Sequence, residues 1–148
     1  GEEMHKPYLQ VRVPATILEP LLVLHWNAKA KKAGGMVVEF SPRRFGYGTY
    51  QIINLSEAKI YGYIGDKQKR YSCKPRAEYI SQATYKNGAR TPIAAYVAKD
   101  KKPSLVYSTL TIHRERKRVI LFLKPERNKL NRLVYRSQSL VDFRREED

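Results

Sequence analysis

The feature that most constrains the fold of this chain is a strand-like pattern that runs through almost its whole length. Segments rich in Tyr, Val, Ile and Thr alternate with turn signals about every ten residues, which is typical of an all-β protein. The turn signals include Gly34-Gly35, Gly65-Asp66 and Asn87-Gly88, and Asn-Gly favours a type I′ hairpin. The predicted strands are Tyr8–Val13, Leu21–Trp26, Met36–Phe40, Thr49–Leu55, Lys59–Ile64, Arg70–Cys73, Tyr79–Tyr85, Pro92–Ala98, Leu105–His113, Arg118–Lys124 and Arg132–Ser137.

These strands predict one β domain that spans residues 1–148 and forms a two-layer antiparallel β-sandwich. A closed β-barrel is the alternative, because this many short strands can pack in either way. Helix signals are weak, so Ala28–Ala33 and Glu126–Leu133 are expected to form short helical turns at most. Residues 1–7 and 144–148 are expected to be flexible.

The clearest unit in the second half is a predicted meander of three antiparallel strands. Its strands are Thr91–Ala98, Ser104–His113 and Lys117–Lys124. Within the last of them, residues 119–123 are apolar on both sides of the pleat. A strand of this kind is expected at the centre of a sheet, where both of its faces are covered.

The charge of the chain is strongly positive: 29 Lys and Arg against 14 Asp and Glu give a formal net charge of +15. Such a protein attracts polyanions, and its 11 tyrosines could stack beside the charges. In the alternative interpretation, the cations keep turns and strand edges solvated. The partner is therefore unknown; a polyanionic ligand or a protein partner is expected, and nucleic acid is the less favoured choice. The main clusters are Arg43-Arg44, Lys67–Arg70, Lys99–Lys102, Arg114–Arg118 and Lys124–Arg132.

One segment, Arg43 to Tyr50, resembles the RNP1 strand of RNA-recognition motifs, in which aromatic rings on a sheet stack with bases. Two residues depart from that pattern: Arg44 replaces a glycine and Gly48 replaces a buried aliphatic residue. The preferred interpretation is an aromatic loop that leads into the next strand. The candidate binding residues are Arg43, Arg44, Phe45, Tyr47, Tyr50, Arg114, Arg116, Lys117 and Arg118.

Signals for catalysis are poor. None of the common nucleophile, metal or phosphate-loop motifs occurs in the sequence, so no catalytic residue, metal or cofactor is assigned and the protein is expected not to be an enzyme. The single cysteine, Cys73, is expected to be a small buried hydrophobic residue. A hydrolase with a Cys73–His25 or Cys73–His113 dyad is a further hypothesis, besides a structural or interaction module and a nucleic-acid-binding or polyanion-binding domain. No apolar run approaches the roughly 20 residues of a membrane span.

Part of the chain is similar to a known group of proteins. The run Gly48–Ser56, the strand Lys59–Ile64 with its Gly65-Asp66 turn, and Val106–Thr109 before an Arg-rich turn carry the likeness. Over about residues 36–124 they resemble small exported bacterial β-sandwich proteins of unknown function. The resemblance implies an exported, periplasmic or envelope-associated structural or interaction module without catalytic activity. It assigns no functional residues. A chain that begins with glycine is typical of a processed or a tagged protein, and removal of a signal peptide is one of these two alternatives.

Overall fold

Extended strands dominate the computed structural model, which describes residues 9–27, 30–82 and 84–146. None of these residues is helical, and 56% of them lie in strands, which confirms the all-β class. The strands are β1 (Pro20–Asn27), β2 (Lys32–Glu39), β3 (Tyr50–Asn54), β4 (Ile60–Ile64), β5 (Arg70–Cys73), β6 (Glu78–Ile80), β7 (Arg90–Lys99), β8 (Lys102–Ile112), β9 (Lys117–Arg127) and β10 (Leu133–Phe143).

The chain divides into two compact units. The N-terminal unit, Gly1–Arg44, contains the antiparallel hairpin of β1 and β2. The C-terminal unit, Phe45–Asp148, contains β3 to β10. One domain over residues 1–148 stays a prediction. Residues 1–7, 147 and 148, for which flexibility was expected, lie outside the described residues.

The C-terminal unit is a sandwich of two four-stranded sheets. The β3 sheet has the strand order β10-β9-β3-β6, and the β4 sheet has the order β5-β4-β7-β8. Alternate residues of both sheets, such as Ile52, Leu121, Ile60 and Ile93, meet in one buried apolar core. Because each sheet ends at two free edges, the described strands do not close into a barrel. The β-sandwich is therefore confirmed.

Strand β9 lies between β10 and β3 and has buried residues on both of its faces, as its continuous apolar run predicted. The three-strand meander is wrong, because β8 and β9 belong to different sheets. Instead, β9 pairs in parallel with β3, from Tyr50 opposite Val119 to Asn54 opposite Leu123. The apolar run shows that both faces of β9 are covered, but it does not select which strand pairs with β9. Its parallel neighbour β3 is itself buried at all five positions.

The glycine pair Gly34-Gly35 is not a turn, although the sequence predicted one. Both glycines lie inside β2, and β1 pairs with β2 from Pro20 opposite Glu39 to Asn27 opposite Lys32. A Cβ on Gly34 would lie 2.6 Å from the imidazole of His25, and one on Gly35 would lie 2.7 Å from Val11. The glycines therefore make room for side chains that cross the hairpin.

The glycines of the other two predicted turns, Gly65 and Gly88, have positive φ, as turn positions often require. Asn87 does not have positive φ, so its turn is not of type I′. Two consecutive residues of positive φ occur instead at Asp100 and Lys101, which join β7 to β8. Elsewhere, residues 32–33 begin β2, and residues 126–133 end β9, form a loop and start β10. The described residues of the two weak helix candidates therefore form no helix, which agrees with the expectation of short helical turns at most.

The predicted strands match the observed ones unevenly. Arg70–Cys73 has the predicted bounds, whereas residues 9–13 form no strand and β6 covers only Glu78–Ile80. Strand β10 runs six residues beyond its predicted end, to Phe143. Within the described residues, no helix has the length and apolar character that a membrane crossing needs.

Candidate functional site

Two of the three aromatic residues of the predicted binding segment are buried. Phe45 is 0% exposed and Tyr50 is 2% exposed. Tyr50 belongs to the core of the sandwich, where its ring meets Tyr85 edge to face at 5.2 Å. Neither ring can stack on a base without leaving the interior, so this part of the prediction is corrected. The third aromatic residue, Tyr47, is partly buried.

Arg118 is a structural residue rather than a surface cation. Its side chain is 3% exposed, and its Nε donates to Oδ2 of Asp142 at 2.7 Å. Its Nη1 donates to the carbonyl oxygen of Phe45 at 2.9 Å, and the guanidinium lies over the rings of Phe45 and Tyr47. These contacts hold the guanidinium inside the fold. The predicted ligand-binding role of Arg118 is therefore corrected as well.

Several of the other predicted cations are held by the protein. Lys117 donates from Nζ to the carbonyl oxygen of Ile112 at 2.8 Å, and burial together with the charge of Arg114 lowers its pKa. Arg116 is exposed and donates to the carbonyl oxygen of Arg145. Arg114 is exposed. This turn thus offers a basic surface in which two of the cations also fasten the backbone.

Arg43 and Arg44 are exposed and belong to the N-terminal unit. Arg44 forms an ion pair with Glu39 at 3.7 Å. Glu39 is 3% exposed and accepts hydrogen bonds from the backbone N–H groups of Leu18, Glu19 and Ser41 at 3.0–3.1 Å. Burial raises the pKa of this carboxyl, but the backbone donors outweigh burial and lower it to about 2. Glu39 therefore anchors the N-terminal segment to the end of β2.

Cys73 and His113 do not form a dyad. Cys73 is buried, its Sγ donates to the carbonyl oxygen of Ala77 at 3.3 Å, and burial raises its pKa to about 11. Cys73 pairs with Ile60, which in turn pairs with Val97 of β7. His113 directly follows Ile112, which pairs with Arg90 at the other end of β7. Val97 and Arg90 lie seven residues apart, which is about 23 Å of extended strand. Pairing of Cys73 with His25 stays a prediction.

His113 is instead part of a buried aromatic cluster. Its Nδ1 lies 3.1 Å from the hydroxyl of Tyr50, and its ring lies 5.3 Å from that of Tyr85. Burial and the charge of Lys117 lower its pKa, although Glu115 acts in the opposite direction. The neutral imidazole is therefore favoured.

A different surface combines aromatic rings with exposed cations. It is the outer face of the β4 sheet, opposite the core, and we call it the tyrosine face after Tyr61, Tyr63 and Tyr96. Strand β4 alternates Ile60, Tyr61, Gly62, Tyr63, Ile64, so its isoleucines enter the core and its tyrosines point to the other side.

The tyrosine face has an ordered geometry. Tyr61 and Tyr96 are directly opposed across β4 and β7, and their rings stack at 6.0 Å between centroids with an interplanar angle of 22°. Tyr63 follows on the same face, opposite Ala94. The three tyrosines are partly exposed. On the β8 side, exposed Leu105 pairs with Tyr96 and extends the apolar surface.

The cations of the tyrosine face lie on its β5 side. Arg70 is exposed and pairs with Tyr63. Lys59 precedes β4 and Lys74 follows β5, so both exposed lysines flank the end of the same strand pair. Strands β4, β5, β7 and β8 contain no Asp or Glu. The aromatic row is thus bordered by positive charge without carboxylates from its own strands.

Sequence reasoning located these strands but did not select their tyrosines. The alternation of β4 was visible, since two tyrosines occur at spacing two between isoleucines. What the sequence could not give was the pairing of β4 with β7, which brings Tyr96 next to Tyr61. The RNP1-like segment is the stronger signal in the sequence, because its match is local.

Comparison with known proteins adds no assignment: no family model matches the chain, and no match was found among curated proteins or solved structures. The resemblance to exported β-sandwich proteins therefore stays an expectation. In the part of the chain that the structure describes, no group of three or more His, Cys, Asp or Glu residues is placed to hold a metal ion.

Proposed function

We propose that the protein is a non-catalytic binding module that holds an extended single-stranded nucleic acid on the tyrosine face. The observation that carries the proposal is the stacked pair Tyr61 and Tyr96 on the outside of the β4 sheet, beside exposed cations. Bases stack on aromatic side chains whatever their sequence, and cations follow the backbone.

The strand register arranges the tyrosines in rows along which a ligand could lie. Tyr61 and Tyr96 form one row across the sheet, and Tyr63 begins the next row with Arg70 beside it. A strand whose bases lie on these rings would have its phosphates within reach of the β5-side cations Lys59, Arg70 and Lys74. Single strands fit this surface better than duplexes, whose bases are already stacked on each other.

Net charge supports the same partner class. A formal charge of +15 attracts any polyanion over a distance of about one Debye length. Attraction alone would not distinguish a nucleic acid from an anionic polysaccharide, because both carry repeated negative charges. The rings make the difference, since only the nucleic acid has bases to stack on them. The exported, periplasmic location expected from the sequence is a separate proposal, which fractionation of cells expressing the full coding sequence tests.

Fluorescence anisotropy with a labelled oligothymidine tests the proposal. The double substitution Tyr61→Ala and Tyr96→Ala is expected to weaken binding by about tenfold or more, because stacking contributes about 1–3 kcal/mol per base. The matched variant Y61F/Y96F keeps both rings and is expected to bind as the wild type does. Circular dichroism checks that each variant is folded.

A charge series completes the test. Replacing Lys59 and Arg70 by alanine is expected to make the slope of log K against log salt shallower by about 1.4, since each phosphate contact on a single strand contributes about 0.7. Alanine replacement of the exposed Lys129 and Arg132 is the control, because these residues lie in the β9–β10 loop and their loss removes the same charge outside the tyrosine face. Stacking on the tyrosine face would be refuted if the Y61A/Y96A variant bound the oligothymidine as tightly as the wild type. It would also be refuted if heparin bound with the same dependence on the two rings.

A further inference from the structure

The two sheets of the C-terminal unit have four edge strands, β5, β6, β8 and β10. Three of them have features that block pairing with another chain. Strands β5 and β6 have only four and three residues. Strand β8 begins with Lys102 and Pro103, and its register shifts where Ala95 and Tyr96 pair with it, which leaves Val106 as a bulge. Short length, lysine, proline and bulges are the usual protections of a free edge.

Strand β10 has none of these protections. It runs for 11 residues, Leu133–Phe143, in continuous register with β9 and contains no proline, lysine or bulge. Its two charged residues are already paired with β9, since Arg136 bonds to Glu126 and Asp142 bonds to Arg118. In the described part of the chain, β9 is its only strand partner. The backbone donors and acceptors on its other side therefore have no partner strand among the described residues, although β8 of the other sheet lies close to β10.

The side chains of β10 are complementary to themselves in the antiparallel direction. When two copies pair about a two-fold axis through Gln138, Leu133 faces Phe143 and Tyr135 faces Val141 of the other copy. At the centre, Ser137 faces Ser139. These residues share one face of the pleat, with apolar residues at both ends and serines in the middle. An isologous pair of this kind needs no second surface.

Exposure of the apolar positions supports the same pairing. Leu133, Val141 and Phe143 are 59%, 43% and 61% exposed in the single chain. Apposition of Leu133 with Phe143 at each end would remove part of this apolar area from water, which is favourable. The pairing would also satisfy the backbone groups at the edge.

We propose that β10 is a homodimerisation edge, at which two copies join their β3 sheets into one continuous eight-stranded sheet. The occupant is a second copy of this chain, because the pattern of β10 matches its own reverse. Positive net charge opposes the association, so high salt is expected to strengthen it. This proposal does not depend on ligand binding at the tyrosine face, which lies on the other sheet.

Sedimentation equilibrium over a concentration series tests it. At high salt the wild type is expected to reach twice the chain mass of 17.2 kDa. The substitutions Ser137→Lys and Ser139→Lys place like charges opposite each other twice across the axis. They are expected to raise the dimer Kd by at least about tenfold. Both serines are exposed, and near-UV circular dichroism checks that the variant keeps its fold.

Two further variants separate the register from the net charge. S137E/S139E also opposes like charges but lowers the net positive charge, and it is expected to dissociate as well. S137E/S139K opposes unlike charges and is expected to remain a dimer. A monomeric wild type, a dimer unaffected by S137K/S139K and S137E/S139E, or dissociation of S137E/S139K would each overturn the proposal.

Discussion

The guanidinium of Arg118 donates to Asp142 across the β9–β10 pair, with 2.7 Å between Nε and Oδ2. Arg118 is buried, whereas the side chain of Asp142 is about one-third exposed. The pair also receives the hydroxyl of Tyr47, which donates to Asp142 at 3.4 Å. A cation that the sequence assigned to ligand binding therefore belongs to the interior of the C-terminal unit.

Removing Asp142 should destabilise the C-terminal unit strongly. Asp142→Ala leaves the buried guanidinium without its carboxylate, and we expect a loss of about 2–4 kcal/mol in the free energy of unfolding. The exposed pair Arg76 and Glu57, 2.8 Å apart, is the matched control, and Glu57→Ala should cost less than about 1 kcal/mol. Urea denaturation measures both values. Equal small losses would show that Arg118 is not held as described.

Asn54 is expected to be essential for the crossover from β3 to β4. Its Nδ2 donates to the carbonyl oxygens of Ala58 at 2.8 Å and Lys74 at 3.0 Å, and its Oδ1 accepts from the N–H of Ser56 at 2.9 Å. Asn54→Ala leaves these groups without their partner, at a cost of about 2–4 kcal/mol. Exposed Gln68→Ala should stay within about 0.5 kcal/mol of wild type. A mild effect of Asn54→Ala in thermal denaturation would contradict this role.

The N-terminal unit should lose stability in acid through Glu39. Its folded pKa of about 2 lies below the ordinary glutamate value of 4.5, so the folded state binds protons less readily than the unfolded one. The stabilisation is complete above pH 4.5 and is lost as the pH falls toward 2. Its size is on the order of 1–3 kcal/mol. Urea unfolding followed by fluorescence of Trp26, the single tryptophan, reports on this unit.

Glu39→Gln provides the control for that titration, because it keeps the shape of the side chain and removes its charge. The variant should be less stable at neutral pH and should lose the dependence between pH 4.5 and 2. If wild type and variant follow the same pH course, another carboxyl is responsible.

Cys73 should be inert toward thiol reagents in the folded protein. Burial raises its pKa to about 11, so the thiolate that reacts is scarce at neutral pH. We expect modification at pH 8 to be at least about a hundredfold slower than for free cysteine. Addition of denaturing urea should restore the ordinary rate. Fast modification without urea would reopen the hypothesis of thiol chemistry.

Local patterns predicted the parts of the fold that local chemistry determines. The alternation of Arg70–Cys73 gave β5 its bounds, and the two-sided apolar run of residues 119–123 placed β9 at a sheet centre. Pairings between distant segments could not be derived, because nothing in β3 alone selects β9 as its parallel neighbour. The same limit applied to the site: burial of Phe45 and Arg118 depends on contacts between residues far apart in sequence.

The parallel pairing of β3 with β9 also sets an order of events for the nascent chain. Strands β4, β5, β7 and β8 all lie between these two partners in sequence, so the β4 sheet can assemble while β9 is still inside the ribosome. During that interval β3 lacks its central neighbour, and its apolar residues depend on the partly formed sandwich or on a chaperone for cover. Pairing of two strands that are separated by such a long segment is slow. Completion of the C-terminal unit therefore waits for the last quarter of the chain to be synthesised.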